Sequence, residues 1–236
     1  MRLYGLHAVE AALQNPKRSV VRLLMTENAE NRLSAALAGR TPERVSPRDL
    51  DRLLGPDTVH QGVLLETEPL VEPSLGDIAA VADTGGPLVV LDHVTDPHNV
   101  GAILRSCAVF GACGLVMTRR HSPPLDATLA KSASGALELV PIALVQNLAR
   151  AIAELKELDF STLALDDSAD GLIEDETFKG RVALVLGAEG KGLRELTRTS
   201  CDRIARIATA GPIASLNVSN AAAIALHLAD WRRRAR

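Results

Sequence analysis

From residue 87 to the end of the chain, short apolar runs alternate with segments of helical period, and no other feature limits the fold as strongly. Leu88-Val89-Val90-Leu91 is followed by a helical pattern from about Asn99 to Phe110 and then by Gly114-Leu115-Val116-Met117. Further strand-like runs are Leu139 to Val145, Thr162 to Leu165, Val182 to Leu186 and Ile204 to Ala208. Helical patterns near Asp126–Leu137, Leu148–Leu158 and Gly192–Thr199 separate them. Near-continuous apolar strands joined through helices predict βαβ units, hence an α/β fold whose mainly parallel sheet is covered by helices on both faces. A last helix is expected from Ser215 to Arg232, ending in arginines that suit the negative end of its dipole.

Residues 1–68 read as a second, smaller α/β domain, near the lower size limit for independent folding. Apolar residues recur at helical spacing from Leu6 to Leu13 and stop at Asn15-Pro16. A strand-like Val20–Met25 follows, then amphipathic segments around Arg32–Leu37 and Asp49–Leu54, and a strand-like Gly62–Leu65. Residues 69–86 carry Pro69, Pro73 and Gly85-Gly86, with three acidic side chains and no basic one, which is the composition of a flexible connector. Acidic and basic residues balance on either side of it, nine against nine in 1–68 and seventeen against seventeen in 87–236, so the net charge of −3 sits in the connector.

That charge and a pI near 6.1 exclude a protein that coats nucleic acid electrostatically, so any RNA site must be local. With aromatics at 2% of the chain, stacking bases on Phe, Tyr or Trp cannot be the main recognition mode. No apolar run approaches the roughly 20 residues that cross a bilayer, and the N-terminus lacks a signal-peptide core, which reads as a soluble cytoplasmic protein. Cys107, Cys113 and Cys201 are odd in number and form no C-x-x-C pair; they indicate neither disulfides nor a metal site, and read as small buried thiols.

Three segments carry unusual chemistry. In the first, Asp96-Pro97-His98-Asn99-Val100-Gly101-Ala102, a strand runs into a polar turn and Asn99 is placed to cap the following helix. Arg105 lies on that helix, which is otherwise almost wholly apolar; such an arginine either snorkels to solvent or serves a site. The second, Gly187-Ala188-Glu189-Gly190-Lys191-Gly192, is a glycine-rich strand-to-helix turn whose glycines let backbone approach a ligand. It has neither G-x-G-x-x-G spacing nor a Walker lysine, which excludes a dinucleotide or NTP phosphate site. The third, Ser215-Leu216-Asn217-Val218-Ser219-Asn220, sets four polar side chains before an apolar helix, more than capping explains.

In this order the three segments resemble the motifs of the SpoU, or TrmH, family of RNA ribose methyltransferases, part of the SPOUT group. The third motif begins in the similar stretch Ile207 to Gly211; the chain departs from it at Ala208-Thr209, where the family has Pro-Met, and at Asn220, where it has valine. Lys131-Ser132-Ala133-Ser134-Gly135-Ala136-Leu137-Glu138 resembles the branch that methylates a guanosine in bacterial 23S rRNA. Tyr4-Gly5-Leu6-His7-Ala8-Val9-Glu10-Ala11 resembles that branch's accessory domain, similar in fold to ribosomal protein L30e and able to hold RNA. The resemblance implies a C-terminal trefoil knot that binds S-adenosyl-L-methionine, a homodimer, and an RNA substrate, with Gly187, Ile207 and Leu216 lining the cofactor site. It assigns the catalytic role to Arg105.

Arg105 is better suited to orienting the ribose and stabilising alkoxide charge than to proton abstraction, because a guanidinium has a pKa above about 12. Asn99, Glu189, Ser215 and Asn217 are then candidates to hold Arg105 and the nucleotide in register, with a structural arginine ion pair the alternative for Glu189. His93 and His98 flank the first turn but match no catalytic position of the family. Arg119-Arg120 and Arg232, Arg233, Arg234 and Arg236 are candidate phosphate contacts. Two other readings remain: a tRNA ribose methyltransferase, and a non-catalytic RNA-binding factor of ribosome assembly.

Overall fold

The computed structural model describes residues 1–82, 86–212 and 215–235. In chain order its elements are β1 (Arg2–Tyr4), α1 (Leu6–Gln14), β2 (Val20–Met25), α2 (Glu27–Arg32), α3 (Ser34–Leu37), β3 (Glu43–Arg44), α4 (Pro47–Leu54) and β4 (Val63–Thr67). These are followed by α5 (Leu75–Ala79), β5 (Gly86–Asp92), α6 (Pro97–Val109), β6 (Ala112–Thr118), α7 (Ala127–Ser132), β7 (Ile142–Val145) and α8 (Leu148–Glu157). The last are β8 (Phe160–Leu165), β9 (Arg181–Gly187), α9 (Glu195–Ser200), β10 (Arg203–Ala205) and α10 (Val218–Arg234). They form two units: Met1–Val71 with Pro124–Leu139, and Glu72–Pro123 with Val140–Arg236.

In the first unit β4 pairs antiparallel with β1 and β2, and β2 runs parallel to β3, giving the order β1-β4-β2-β3. Leu24 and Leu64 face each other in register and bury Leu50 of α4 between them and Val45 and Leu54. Ser46 and Asp49 cap α4 reciprocally, with Pro47 at its first position.

The segment 124–139 joins this unit although it lies between two strands of the other. Asp126 caps α7 by accepting from the backbone N–H groups of Thr128 and Leu129 at 2.9 and 3.1 Å. Gly135 has φ +92°, and a Cβ there would lie 2.8 Å from the Ala11 Cβ, so only glycine lets this turn approach α1. Beyond it, Arg18 donates to both oxygens of Glu138, at 2.6 and 3.1 Å, and to the Glu68 carbonyl at 2.9 Å, while Asn15 donates to Glu138 Oε2 at 2.8 Å. Both charged side chains are 1% exposed. The helix expected over Asp126–Leu137 is thus α7 plus a 3-10 turn at Ala136–Glu138, and it belongs with the N-terminal residues rather than with 87–236.

The second unit holds one six-stranded sheet, in the order β10-β8-β9-β5-β6-β7, with every pairing parallel. β5 is buried from Pro87 to Asp92, as a central parallel strand covered on both faces must be. Leu88 and Val90 pack with Val116, Val185, Ile78 of α5 and Ile152 and Leu155 of α8. The alternate positions face the side where α6 lies on β6 and α10 lies on β5 and β9.

Two sequence expectations need correction here. The connector 69–86 is not a tether throughout: Ser74 and Asp77 form a capping box that starts α5, and Leu75, Ile78 and Ala79 are buried in the second unit's core. Gly85 lies outside the described residues. The strands expected over Leu139–Val145 and Ile204–Ala208 are also shorter, at Ile142–Val145 and Arg203–Ala205.

Candidate active site

The sheet order reverses at β5: β6 and β7 extend to one side, β9, β8 and β10 to the other. Ligands of open parallel sheets bind beyond the carboxyl ends of the strands at such a reversal, because the loops on either side part there. Asp92 ends β5 opposite Gly187, which ends β9. A cavity of about 320 Å³ lies at this edge, lined among others by Asp166 after β8, Gly187 and Glu189 after β9, Ile207 after β10, and Ser215 and Leu216 before α10.

The glycine-rich loop is folded on itself. Gly192 N–H donates to the Ala188 carbonyl at 2.9 Å, and Gly190 and Gly192 have φ of +74° and +63°. A Cβ on Gly187 would lie 2.2 Å from the Gly192 carbonyl carbon. The glycine at 187 is therefore required by the loop's own return, where the sequence suggested approach to a ligand. Asp92, 1% exposed, fixes the loop's far end by accepting from Arg194 N–H at 3.0 Å and Nε at 2.7 Å.

Asn99 does not cap its helix. Asp96 does, accepting from His98 N–H at 2.9 Å, with Pro97 in the first position. This leaves the Asn99 amide free to reach across to the glycine loop, donating to Glu189 Oε1 at 3.0 Å. Asn217 caps α10, its Oδ1 accepting from Ser219 N–H at 2.9 Å and Ser219 Oγ at 2.5 Å. The Asn217 Nδ2 donates to Asn99 Oδ1 at 3.0 Å and also to Glu189 Oε1. Three side chains, from the first turn of α6, the loop after β9 and the cap of α10, thus form one network, and a cap accounts for Asn217 and Ser219 together. Glu189 is held by two neutral amides and by no arginine among the described residues, which replaces the ion-pair alternative.

Arg105 is exposed on α6 and makes no side-chain hydrogen bond or ion pair with any described residue. It borders a shallow groove of about 250 Å³ with Ala102, Ser106, Val109 and Phe110. It lies six positions after Asn99, which at 3.6 residues per turn sets the two about 120° apart around the helix, so the side chains leave α6 in different directions. Within one chain the network does not hold Arg105, contrary to expectation.

Asp166 was missed by the sequence reading, although it directly follows the strand-like Thr162–Leu165 at the edge where a parallel sheet binds ligands. Burial opposes its ionisation, but hydrogen bonds from Ser168 Oγ and N–H and the charge of Arg198 outweigh that and hold the carboxyl below its usual range. Several expected phosphate contacts are engaged internally. Arg119 pairs with Glu72, Arg232 donates to the Glu174 carbonyl at 2.6 Å, and Arg233 and Arg234 both bind Asp230. Arg236 lies outside the described residues. Burial pushes the Cys107 thiol up, and those of Cys113 and Cys201 to about 11, so all three stay protonated at neutral pH.

A parallel sheet with a polar network and a cavity at its carboxyl edge defines a ligand-binding α/β enzyme class, and comparison with known proteins makes it specific. Residues 86–227 match the SpoU rRNA methylase family, and residues 2–73 match the RNA 2′-O ribose methyltransferase substrate-binding family. The 23S rRNA (guanosine-2′-O-)-methyltransferase RlmB of Ralstonia nicotianae is 39% identical over 98% of this chain and 95% of its own length. The protein of the same name from Vibrio cholerae serotype O1 is 38% identical over 99% and 97%. The SpoU methyltransferase AviRb from Streptomyces viridochromogenes, solved in complex with AdoMet, superposes with a TM-score of 0.84 at 24% identity, covering 100% of this chain and 91% of that one. The chain belongs to the SpoU rRNA methylase family.

Proposed function

We propose that this chain transfers the methyl group of S-adenosyl-L-methionine to the ribose 2′-hydroxyl of a guanosine in 23S rRNA, in the cytoplasm. The names of the full-length relatives support the substrate. The observation that carries the chemistry is the Asn99–Glu189–Asn217 network at the rim of the cavity. No helix among the described residues is long and apolar enough to cross a membrane.

The cavity suits the cofactor: about 320 Å³ falls within the ~300–1,000 Å³ of small-molecule pockets, and its lining combines loop backbone with the half-buried Ile207 and Leu216 and the ionised Asp166. When bound, S-adenosylmethionine supplies an electrophilic methyl on a sulfonium. Gly187, Ile207 and Leu216, which line the cavity, would hold it. The network amides and Ser215 would orient the ribose so that its 2′-oxygen faces the methyl the cofactor supplies, with the hydroxyl proton released to solvent. Arg105 stabilises the developing alkoxide.

Because Arg105 points away from its own chain's network, this role belongs to a homodimer in which a second copy covers the α6 groove. The half-buried Ile224 and Leu228 of α10 and the 71%-exposed Val109 support such a face. Sedimentation at micromolar concentration should give twice 25.0 kDa; a monomer removes this role for Arg105. We further assign a trefoil knot to the C-terminal domain, and an L30e-like fold and RNA-holding role to residues 1–68.

Tritium transfer from labelled S-adenosylmethionine should mark a guanosine of 23S rRNA and leave tRNA unlabelled. Labelled tRNA would move the substrate to the other RNA. Transfer to neither, with cofactor unbound in calorimetry, would leave an RNA-binding assembly factor.

A further inference from the structure

We infer that His93 and His121 form a stacking platform for an unpaired nucleobase of the RNA substrate, an inference that rests on the RNA-methylating function proposed above. The two rings stack on each other with centroids 4.5 Å apart and planes tilted by 33°. Their meeting is set by the sheet: β5 and β6 are adjacent and parallel with Leu91 opposite Met117, so the loops that follow emerge side by side at the carboxyl edge. His93 directly follows Asp92, whose register partner Gly187 lines the cavity.

Both histidines have left-handed backbone, φ +58° at His93 and +63° at His121. Non-glycine residues there carry strain of about 1–3 kcal/mol each, held only where the surroundings impose it, and such residues concentrate at ligand sites. The surroundings do impose it. On one side Asp92 is locked to Arg194; on the other the buried Thr118 hydroxyl donates to the Arg120 carbonyl and closes the turn that presents His121. Nothing in packing demands the result, because His121 is exposed and His93 only half buried.

His121 is an exposed ring in a chain with one Trp, one Tyr and three Phe. Continuing an offset stack with a third ring is the contact such a pair offers, and every base has a π-face to accept it. Burial first, then the Arg194 guanidinium, with Asp92 opposing, hold His93 below the usual imidazole range, which favours the uncharged ring. Among the described residues no third metal-ligating side chain joins the pair, which leaves aromatic contact rather than coordination as its use.

The test measures equilibrium binding and methylation of a 23S rRNA fragment by the full chain and by His121→Gly, His121→Asn and His121→Tyr. Glycine and asparagine both tolerate the left-handed backbone, so neither should disturb the turn. The RNA Kd should rise about 5- to 100-fold in both, the range expected for losing one base–aromatic stack, with turnover at saturating RNA and S-adenosylmethionine affinity unchanged. His121→Tyr should restore binding, and the slope of log Kd against log salt should not change in any variant. Unchanged Kd in the glycine and asparagine variants overturns the platform while the wild-type chain still methylates the fragment. A slope reduced by about one also overturns it, since that marks a phosphate contact instead. A wild-type chain that binds the fragment without methylating it refutes the proposed function, and the variants' Kd values still decide the platform; one that binds no RNA refutes both.

Discussion

Arg18 and Arg105 mark two regions of the molecule that use the same side chain in opposite ways. Arg18 is buried to 1% exposure, forked onto both oxygens of Glu138 and bonded again to the Glu68 carbonyl. Arg105 stands exposed on α6 without a partner among the described residues. Similarly, both oxygens of Glu138 are occupied, whereas Oε1 of the exposed Glu189 takes both amides and Oε2 accepts none from the described residues. A structural polar cluster saturates its bonding because an orphaned buried charge costs several kcal/mol. A cluster meant to receive a ligand keeps its capacity open, and solvent meets the cost until the ligand arrives.

The largest expected effect breaks the open side of this comparison. Arg105→Ala should lower turnover by on the order of 10²- to 10⁴-fold, the loss typical of an electrostatic catalytic group, with the melting temperature and S-adenosylmethionine affinity unchanged. Arg105→Lys should recover little, since it keeps the charge but not the planar fork. A fully active alanine variant would show that the exposed arginine is only a solvated side chain.

On the saturated side, Glu138→Ala should destabilise the chain by about 3–5 kcal/mol in denaturant unfolding, because it leaves Arg18 buried and unpaired. Replacing both partners, as Arg18→Met with Glu138→Leu, should recover most of that loss, since buried pairs are often no better than well-packed apolar residues. If the double variant were as unstable as Glu138→Ala, the pair would be doing more than filling and closing the interface between α1 and the 124–139 segment. A truncation removing only residues 1–68 should fold poorly for the same reason, as it strands α7 and Glu138 without their partners.

These two regions also differ in how far the sequence discloses them. The central apolar runs of the second unit, Leu88–Leu91, Gly114–Met117 and Val182–Leu186, became parallel strands, because burial on both faces leaves a local signature, and the residues of the candidate network sit at strand ends and helix starts whose composition was already anomalous. The first unit's clamp was illegible, since Arg18 and Glu138 are 120 residues apart and nothing local says that 124–139 leaves one sheet to pack on another. β1 and β3, at three and two residues, are too short to show a period. Helix α5 was legible and overlooked: Ser74 and Asp77 have capping-box spacing, but the prolines before them read as linker. Asn99 was given the cap that Asp96 provides, because both are good caps and only the position of Pro97 separates them.

The smallest expected effect sharpens the comparison at Asn217, the one residue that belongs to both kinds of cluster. Its Oδ1 caps α10 and its Nδ2 feeds the open network. Asn217→Ala removes both functions and should cost about 1 kcal/mol of stability, as loss of a helix cap does, together with most of the methyl transfer. Asn217→Asp separates them. Aspartate caps a helix as well as asparagine does and suits the positive end of the dipole, so stability should stay within about 0.5 kcal/mol of wild type. It has no amide to donate, however, and sets a second carboxylate against Glu189. Activity should therefore fall as far in the aspartate variant as in the alanine variant, at nearly unchanged melting temperature. An active, stable aspartate variant would mean that Asn217 is a helix cap alone and that the network at the cavity rim does not need its amide.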